Sequence, residues 1–151
     1  MPLMPGKGYS FMYSSKEQTD LAHAALLLEA RVAVTPMNNQ IRFSGTMELG
    51  RANDKINMNR VKGIVESIPS YYPDLKIDYP QQKVWYGYRP CSPDGLPYLG
   101  RCRKISNLTV AGGGGMMGLS LGPAFGKSVA DIIDERPLAV EISNFRPDRF
   151  D

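Results

Sequence analysis

The sequence predicts an α+β fold in which an antiparallel sheet is flanked by helices. Three observations support this class. Polar and apolar residues alternate strictly over 40–49, apolar residues recur at helical spacing over 61–68, and a glycine run over 112–115 follows a strand-like segment and precedes a second helical stripe. The predicted order is strands, helix, strands, helix and a short strand, which is typical of α+β proteins. With 151 residues, 42% of them hydrophobic, the chain is long enough for one packed domain.

A β-hairpin is predicted over residues 31–49. Residues 31–35 alternate, residues 36–39 (Pro-Met-Asn-Asn) favour a turn, and residues 40–49 alternate again. Two period-two runs joined by turn-prone residues predict an antiparallel pair. We expect the second strand to carry Ile41, Phe43, Gly45, Met47 and Leu49 on one face and Arg42, Ser44, Thr46 and Glu48 on the other.

A further strand and three helices are predicted. The strand covers 83–89 and places Val84, Tyr86 and Tyr88 opposite Trp85, Gly87 and Arg89. The first helix would begin after Asn57 as N-cap and end at Pro69, and a less regular one would cover Lys16 to Leu28. The last helix would end near residue 136, and its apolar stripe comprises Leu121, Phe125, Val129, Ile132 and Ile133.

Composition narrows the classes of function. The single histidine, His23, and the cysteines Cys91 and Cys102 do not make the usual four-ligand zinc site, and a Ser–His–Asp mechanism would depend wholly on His23. The 18 basic and 15 acidic residues include no long basic run, so nucleic acid is not an indicated partner. No apolar segment approaches the ~20 residues that cross a bilayer. We therefore expect a cytoplasmic protein with no metal site, free thiols and no transmembrane segment.

The glycine run has the context of a ligand-binding turn. Residues 108–111 read as a buried strand, and Gly113, Gly115 and Gly118 satisfy G-x-G-x-x-G before a helix. Glu141 stands about where a ribose-binding carboxylate would be expected, although the 33 residues after Gly118 are too few for a mononucleotide-binding half. A tight turn without a ligand is the plain alternative. Bare N–H groups at a helix N-terminus also suit a flat group with partial negative charge, such as a reduced flavin.

Three ordered motifs resemble the C-terminal part of FAD-dependent D-amino acid oxidoreductases, a family with glycine oxidases and D-amino acid dehydrogenases. They span 89–100 (RPCSPDGLPYLG), 107–127 (from NLTVA to GLSLGPAFGK) and 145–150 (FRPDRF). The opening 6–10 (GKGYS) and the segment 46–50 (TMELG) are similar to the family's substrate domain. The resemblance implies a substrate-binding antiparallel sheet over 1–90. It also implies a segment, 91–151, that returns into the FAD-binding domain as its C-terminal strand and helix.

The resemblance also implies site residues and a cofactor, FAD. Arg89, in a Gly-x-Arg-Pro setting, matches the arginine that clamps the substrate carboxylate. The backbone of the glycine turn would face the flavin ring, and the residues concerned are Gly113, Gly114, Gly115, Met116, Met117, Gly118 and Leu119. Gly114 stands where relatives often carry histidine, and the family's N-terminal G-x-G-x-x-G is absent from this chain.

The resulting prediction is an FAD-dependent oxidoreductase that, in its full-length form, oxidises a small amino acid or amine by hydride transfer. We expect this chain alone to be inactive, to lack FAD and to self-associate through uncovered apolar faces. Tyr9, Tyr86 and Tyr88 are further candidates for substrate contact, with packing as the more common role of tyrosines in a sheet. Two alternatives stay open: a non-catalytic α+β domain that binds a partner or small acid, and a nucleotide-binding module that uses the glycine turn.

Overall fold

The computed structural model describes residues 1–14, 21–77 and 83–151. Within these ranges it has strands β1 (Met4–Tyr13), β2 (Ala25–Leu27), β3 (Val32–Met37), β4 (Gln40–Leu49), β5 (Val84–Cys91), β6 (Tyr98–Arg101) and β7 (Thr109–Gly112). It also has helices α1 (Met58–Ser67) and α2 (Gly118–Ile133), and short 3-10 turns at Ile68–Ser70 and Ser143–Phe145. The mixture of antiparallel strands and two helices confirms the α+β class. Neither helix is long and apolar enough to cross a membrane.

The described chain forms two compact units. One comprises residues 7–48 and 52–88 and is called the sheet unit below. The other comprises residues 1–6, 49–51 and 89–151 and is called the turn unit. The larger sheet has the strand order β2-β3-β4-β1-β5, and the smaller one pairs β6 with β7.

The predicted hairpin is confirmed as the pair β3 and β4, which run antiparallel from Val32 opposite Gly45 to Met37 opposite Gln40. Its turn is shorter than predicted, because Pro36 and Met37 still belong to β3. Asn38 and Asn39 connect the strands with φ values of 47° and 61°. Two consecutive positive φ values are typical of the type I′ turn, whose twist matches that of paired strands, and asparagine tolerates them.

The predicted alternation along β4 holds only as far as Gly45. Thr46 has a φ of 59°, which interrupts the regular pleat. Beyond it, Glu48 accepts a hydrogen bond from the Tyr9 hydroxyl at 3.0 Å and pairs with Arg60 of α1 at 3.2 Å. Glu48 therefore faces α1, whereas strict alternation predicted that it would lie opposite the apolar residues.

The core of the sheet unit lies between one face of the sheet and α1. Val61 and Ile64 of α1 are buried there, and Asn57 occupies the N-cap position without a side-chain hydrogen bond. The predicted end of this helix at Pro69 is confirmed to within two residues. The buried cluster consists of Tyr9, Phe11, Leu27, Val32, Val34, Ile41, Phe43, Val61, Ile64, Ile68 and Leu75.

The helix predicted over 16–28 is wrong in the part that the structure describes, and residues 16–20 lie outside that part. Ala25–Leu27 forms the edge strand β2, which pairs antiparallel with β3. The local leucine and alanine content favours helix, but pairing with β3 buries Leu27 in the core. A tight turn follows, in which Arg31 donates to the Leu28 carbonyl at 3.2 Å.

In the turn unit, α2 packs against β6 and β7. Strand β7 confirms the strand predicted at 108–111 with a shift of one residue. Four residues of the predicted apolar stripe of α2 are half-buried, namely Leu121, Phe125, Val129 and Ile132, whereas Ile133 is 61% exposed. The fully buried residues of the helix are polar: Ser128 and Asp131, of which Asp131 pairs with Lys127 and, at 3.4 Å, with Arg136.

Candidate active site

The glycine turn connects β7 to α2 within the turn unit. Gly113 and Gly115 have φ values of 69° and 51°, which residues other than glycine rarely adopt. A Cβ atom on Gly113 would lie 2.8 Å from the Tyr98 ring, and one on Gly114 would lie 2.7 Å from the Cα atom of Gly118. Glycine is therefore required at 113 and 114 by close packing, and the backbone at this point carries no side chain that would cover it.

Part of the hydrogen-bonding capacity of the turn is used internally. The Gly115 N–H donates to the Pro90 carbonyl at 3.1 Å, and the Met117 N–H donates to the Gly114 carbonyl at 2.9 Å. Leu121 makes the first bond of α2, to the Met117 carbonyl at 2.9 Å. The N–H groups of residues 118–120 precede that bond, and the first turn of the helix has no acidic side chain and no side-chain cap.

The start of α2 is also apolar and open. Met116 and Met117 are 70% and 58% exposed, and Leu119 is 93% exposed. Uncapped N–H groups give this end of the helix a positive potential, and the exposed thioether and aliphatic side chains surround it with apolar surface. Such a surface fits a flat ring system that has one electron-rich edge, which is the character of the flavin ring.

Arg89 lies near the end of β5 and is half-buried. The two residues that follow it contact the glycine turn: Pro90 accepts the Gly115 N–H, and Cys91 forms an antiparallel bridge with Gly114. Within the turn unit, the segment that begins at Arg89 is thus joined to the predicted flavin-facing turn. Over residues 1–14, 21–77 and 83–151, no carboxylate is ion-paired with the Arg89 guanidinium.

The candidate tyrosines make contacts inside the sheet unit. Tyr86 donates to Asp54 at 2.8 Å, and the Tyr88 hydroxyl accepts the Asn53 N–H at 2.7 Å. Both rings, together with Tyr9, surround the ammonium group of Lys7, which lies 4.3 Å from the centre of the Tyr86 ring. The hydroxyls of these tyrosines are therefore engaged with protein groups.

Lys7 is a buried cation that sequence patterns did not single out. Its side chain is 2% exposed, and it donates to the Asn53 carbonyl at 2.8 Å, to the Asn53 Oδ1 atom at 3.1 Å and to the Lys55 carbonyl. All three ammonium protons are satisfied by the 53–55 loop, which explains how the charge is tolerated. In the sequence, Lys7 is marked only by the glycines on either side of it.

Other residues considered from the sequence have ordinary roles. The Glu141 carboxylate accepts a hydrogen bond from the Ser143 N–H at 2.7 Å, and this bond lowers the pKa of Glu141. The carboxylate is thus used in a local turn. His23 is exposed. Across the described ranges, no three histidine, cysteine, aspartate or glutamate side chains are grouped as metal ligands.

Comparison with known proteins identifies the family of this chain. A family model described as FAD dependent oxidoreductase (DAO) matches residues 1–132. The chain is 29% identical to a D-amino-acid oxidase from Bradyrhizobium diazoefficiens over 99% of its length, and 32% identical to a D-amino acid dehydrogenase from Granulibacter bethesdensis over 90%. It covers only 36% and 32% of those two proteins, so it spans about a third of their length.

Solved structures of related proteins also resemble this chain. The crystal structure of glycine oxidase from Geobacillus kaustophilus superposes with a TM-score of 0.80 and 26% identity, over 96% of this chain and 39% of that one. L-proline dehydrogenase from P. horikoshii has a TM-score of 0.81 at 20% identity, over 99% of this chain and 40% of its own, and shows the shared fold. From the family match, the sequence relatives and the fold, we conclude that the chain belongs to the DAO family of FAD-dependent oxidoreductases.

Proposed function

We propose that a protein of the relatives' full length carrying this chain is a D-amino acid dehydrogenase-like enzyme that oxidises a small amino acid or amine. The observation that carries this proposal is the connection between Arg89 and the glycine turn. Pro90 and Cys91 pair with Gly115 and Gly114, so the candidate carboxylate clamp and the candidate flavin-facing backbone belong to one folded unit. The names of the sequence relatives, D-amino-acid oxidase and D-amino acid dehydrogenase, support the same substrate class.

Arg89 would bind and orient the substrate. Its guanidinium offers parallel N–H donors that match the two oxygens of a carboxylate, and a bidentate pair fixes the direction of the substrate as well as its position. Holding the α-carboxylate restricts the positions that the Cα–H bond can take, and such positioning is a large part of what an enzyme contributes to a transfer step. The α-amino group would arrive neutral, so the proposal requires no protein base.

The backbone of residues 113–119 would support the cofactor. Bound FAD would supply an acceptor for the hydride of the substrate Cα–H bond, and the imino acid left behind would hydrolyse to a 2-oxo acid and ammonia. The N–H groups at the start of α2 favour negative charge on a neighbouring group, and the absence of an acidic side chain in that first turn leaves this potential undiminished. The same observations weigh against a dinucleotide site, because Gly115 and Met117 already donate internally and are not available to a pyrophosphate.

The two parts of the chain would have different roles. Residues 1–90 would supply the substrate-binding sheet, and residues 91–151 would complete the FAD-binding domain. The contacts to the pyrophosphate and adenosine of FAD would come from sequence outside this chain. We place the enzyme in the cytoplasm and expect this chain alone to be inactive.

The proposal is tested by anaerobic mixing of the full-length protein with D- and L-amino acids and with secondary amines, while the flavin absorbance is followed. We expect at least one amino acid to bleach bound FAD and to yield a 2-oxo acid and ammonia in equal amounts. Bound FAD that no amino acid or amine reduces would favour the non-catalytic α+β domain instead.

A further inference from the structure

The loop between β5 and β6 contains Asp94 followed by Gly95, and nowhere else in the sequence does glycine follow an aspartate or an asparagine. Because glycine has no side chain, its amide nitrogen is less shielded than that of other residues. Both residues are exposed, and a Cβ atom placed on Gly95 would meet no atom beyond its chain neighbours within 4 Å. An accessible amide nitrogen therefore follows directly after a side-chain carboxyl group that is open to solvent.

Isomerisation of the main chain is the reaction that such a pair can undergo. The Gly95 nitrogen attacks the Asp94 Cγ atom, a C–N bond forms, and the amide proton leaves with the carboxyl hydroxyl as water. The product is a five-membered cyclic imide. Water then opens the imide at either of its carbonyl carbons, and opening at the main-chain carbonyl of Asp94 leaves isoaspartate. One water is released and one is consumed, so no other reactant is required.

In the folded chain the Asp94 carboxylate is bound. Arg149 donates to both of its oxygens, and the Leu96 N–H donates to one of them at 3.1 Å. Arg149 is itself fixed, because its side chain is only 10% exposed, lies against the Tyr98 ring and donates to the Leu96 carbonyl. The carboxylate is therefore held by donors that the fold keeps in place.

This arrangement opposes each part of the reaction. The carboxyl group loses its hydroxyl as the neutral acid, and hydrogen bonds from Arg149 hold the pKa of Asp94 well below its ordinary value, so the neutral acid is scarce. Attack on the Cγ atom would also turn the carboxylate out of the plane in which it pairs with Arg149. The Gly95 N–H is engaged as well, since it donates to the Ser92 carbonyl at 3.3 Å.

We propose that Asp94–Gly95 is a latent site of isoaspartate formation that Arg149 keeps unreactive. Isoaspartate adds one carbon to the main chain and carries its carboxylate directly on the Cα atom. The paired contact with Arg149 is then lost, and the C-terminal segment of the turn unit loses its carboxylate anchor on this loop. The reaction uses neither FAD nor Arg89, so the proposal is independent of the proposed oxidation.

Ageing of the 151-residue chain tests the proposal. The chain is incubated at pH 5, where the neutral acid is more abundant than at pH 7, and at a temperature at which circular dichroism shows it to be folded. Peptide mapping with fragmentation that distinguishes the two linkages measures isoaspartate at position 94. The same chain unfolded in urea gives the rate without the folded contacts. We expect the folded chain to convert at least about tenfold more slowly, the effect of one unit in the pKa of the carboxyl group.

Variants separate the role of Arg149 from that of folding in general. Folded Arg149→Gln should form isoaspartate roughly tenfold faster than the folded parent, because the pKa of Asp94 returns toward its ordinary value. Arg149→Lys keeps the charge and loses the paired geometry, so it should age at an intermediate rate and provides the comparison if Arg149→Gln does not fold. Gly114→Ala, which weakens the same unit at the glycine turn and leaves Arg149 in place, should age as the parent does.

Three results would each overturn the proposal. The first is an equal rate for the folded and the urea-unfolded parent. The second is the absence of acceleration in the folded Arg149 variants. The third is the same acceleration in Gly114→Ala, which would mean that opening of the turn unit, and not the contact with Arg149, controls the reaction.

Discussion

The guanidinium of Arg149 binds both carboxylate oxygens of Asp94, with its Nε atom at 2.8 Å and one Nη atom at 2.9 Å. The same guanidinium lies 4.0 Å from the centre of the Tyr98 ring and donates to the Leu96 carbonyl at 2.8 Å. Hydrogen bonds from Arg149 hold the pKa of Asp94 well below its ordinary value. The C-terminal segment of the turn unit is thereby attached to the loop between β5 and β6.

This attachment predicts that Arg149→Lys lowers the thermal midpoint by roughly 5 to 10 °C, because lysine cannot reproduce the paired contacts. Arg103→Lys is the matched control, since Arg103 is largely exposed and its pair with Asp148 is long, at 3.7 Å. We expect the control to change the midpoint by no more than about 2 °C. Equal midpoints for the two variants would show that the Arg149 contacts do not stabilise the fold.

The Asp94 contact also predicts a pH dependence. A carboxyl whose pKa is lowered by folding stabilises the protein above its unfolded pKa and loses that contribution as the pH falls toward the folded value. The ordinary pKa is 3.8, so wild-type stability should fall steadily as the pH drops below about 4. Asp94→Asn should be less stable near neutral pH and should show a shallower decline in that acidic range. Urea unfolding at a series of pH values measures both slopes, and parallel slopes would contradict the assignment.

Glycine packing in the turn predicts opposite effects of alanine at two positions. Gly114→Ala places a methyl group against the Gly118 backbone, which does not move as a side chain would, so the turn and the start of α2 should be destabilised. Gly126→Ala meets open space within α2 and should stabilise the helix by up to about 1 kcal/mol. Thermal unfolding followed by circular dichroism compares the two variants. A Gly114→Ala protein as stable as Gly126→Ala would mean that the close approach is absent.

The exposed apolar start of α2 predicts self-association of the chain on its own. Leu119, together with Met116 and Met117, presents a continuous apolar surface at the glycine turn. Leu119→Glu should reduce the associated fraction in sedimentation velocity, since a charged side chain there opposes apolar contact and suits the helix N-terminus. Leu26→Glu, at an exposed leucine of β2, is the control and should not change it. A monomeric parent chain at high concentration would disprove the prediction.

The sequence allowed the fold class and the hairpin to be predicted because period-two alternation appears where a strand has one buried face. Strand β1 escaped detection for the opposite reason. Residues 6–11 are all buried, so no polar face alternates with an apolar one. The edge strand β2 was mistaken for helix, because its three residues carry little pattern and pairing overrides their local preference.

Sequence patterns predict only part of the candidate active site. The glycine turn has a sequence signature, whereas the role of Arg89 came from resemblance to a family. The Asp94–Arg149 pair joins residues 55 apart, and the contacts of Lys7 with the 53–55 loop join two separate segments, neither of which periodicity predicts. Sequence patterns describe one element at a time, and contacts between elements require the fold.

We predict that the purified chain is colourless, because it would contribute only the FAD contacts at the flavin ring. It supplies the backbone that would face the flavin ring and has no second G-x-G-x-x-G turn for the pyrophosphate. Titration with FAD, followed by flavin fluorescence, should show weak binding or none. Tight stoichiometric binding would make the glycine turn a self-sufficient nucleotide site and would favour the nucleotide-binding alternative.

We propose that Arg89 holds the substrate carboxylate beside the glycine turn, and steady-state kinetics of the full-length protein tests this role. We predict that Arg89→Ala raises KM for the amino acid substrate by about 100-fold, and that Arg89→Lys recovers little of that loss because one ammonium group does not form the bidentate pair. Arg103→Gln, at an exposed arginine, serves as the control and should leave KM unchanged. An Arg89→Ala enzyme with the wild-type KM would contradict the claim and place the carboxylate clamp at another residue.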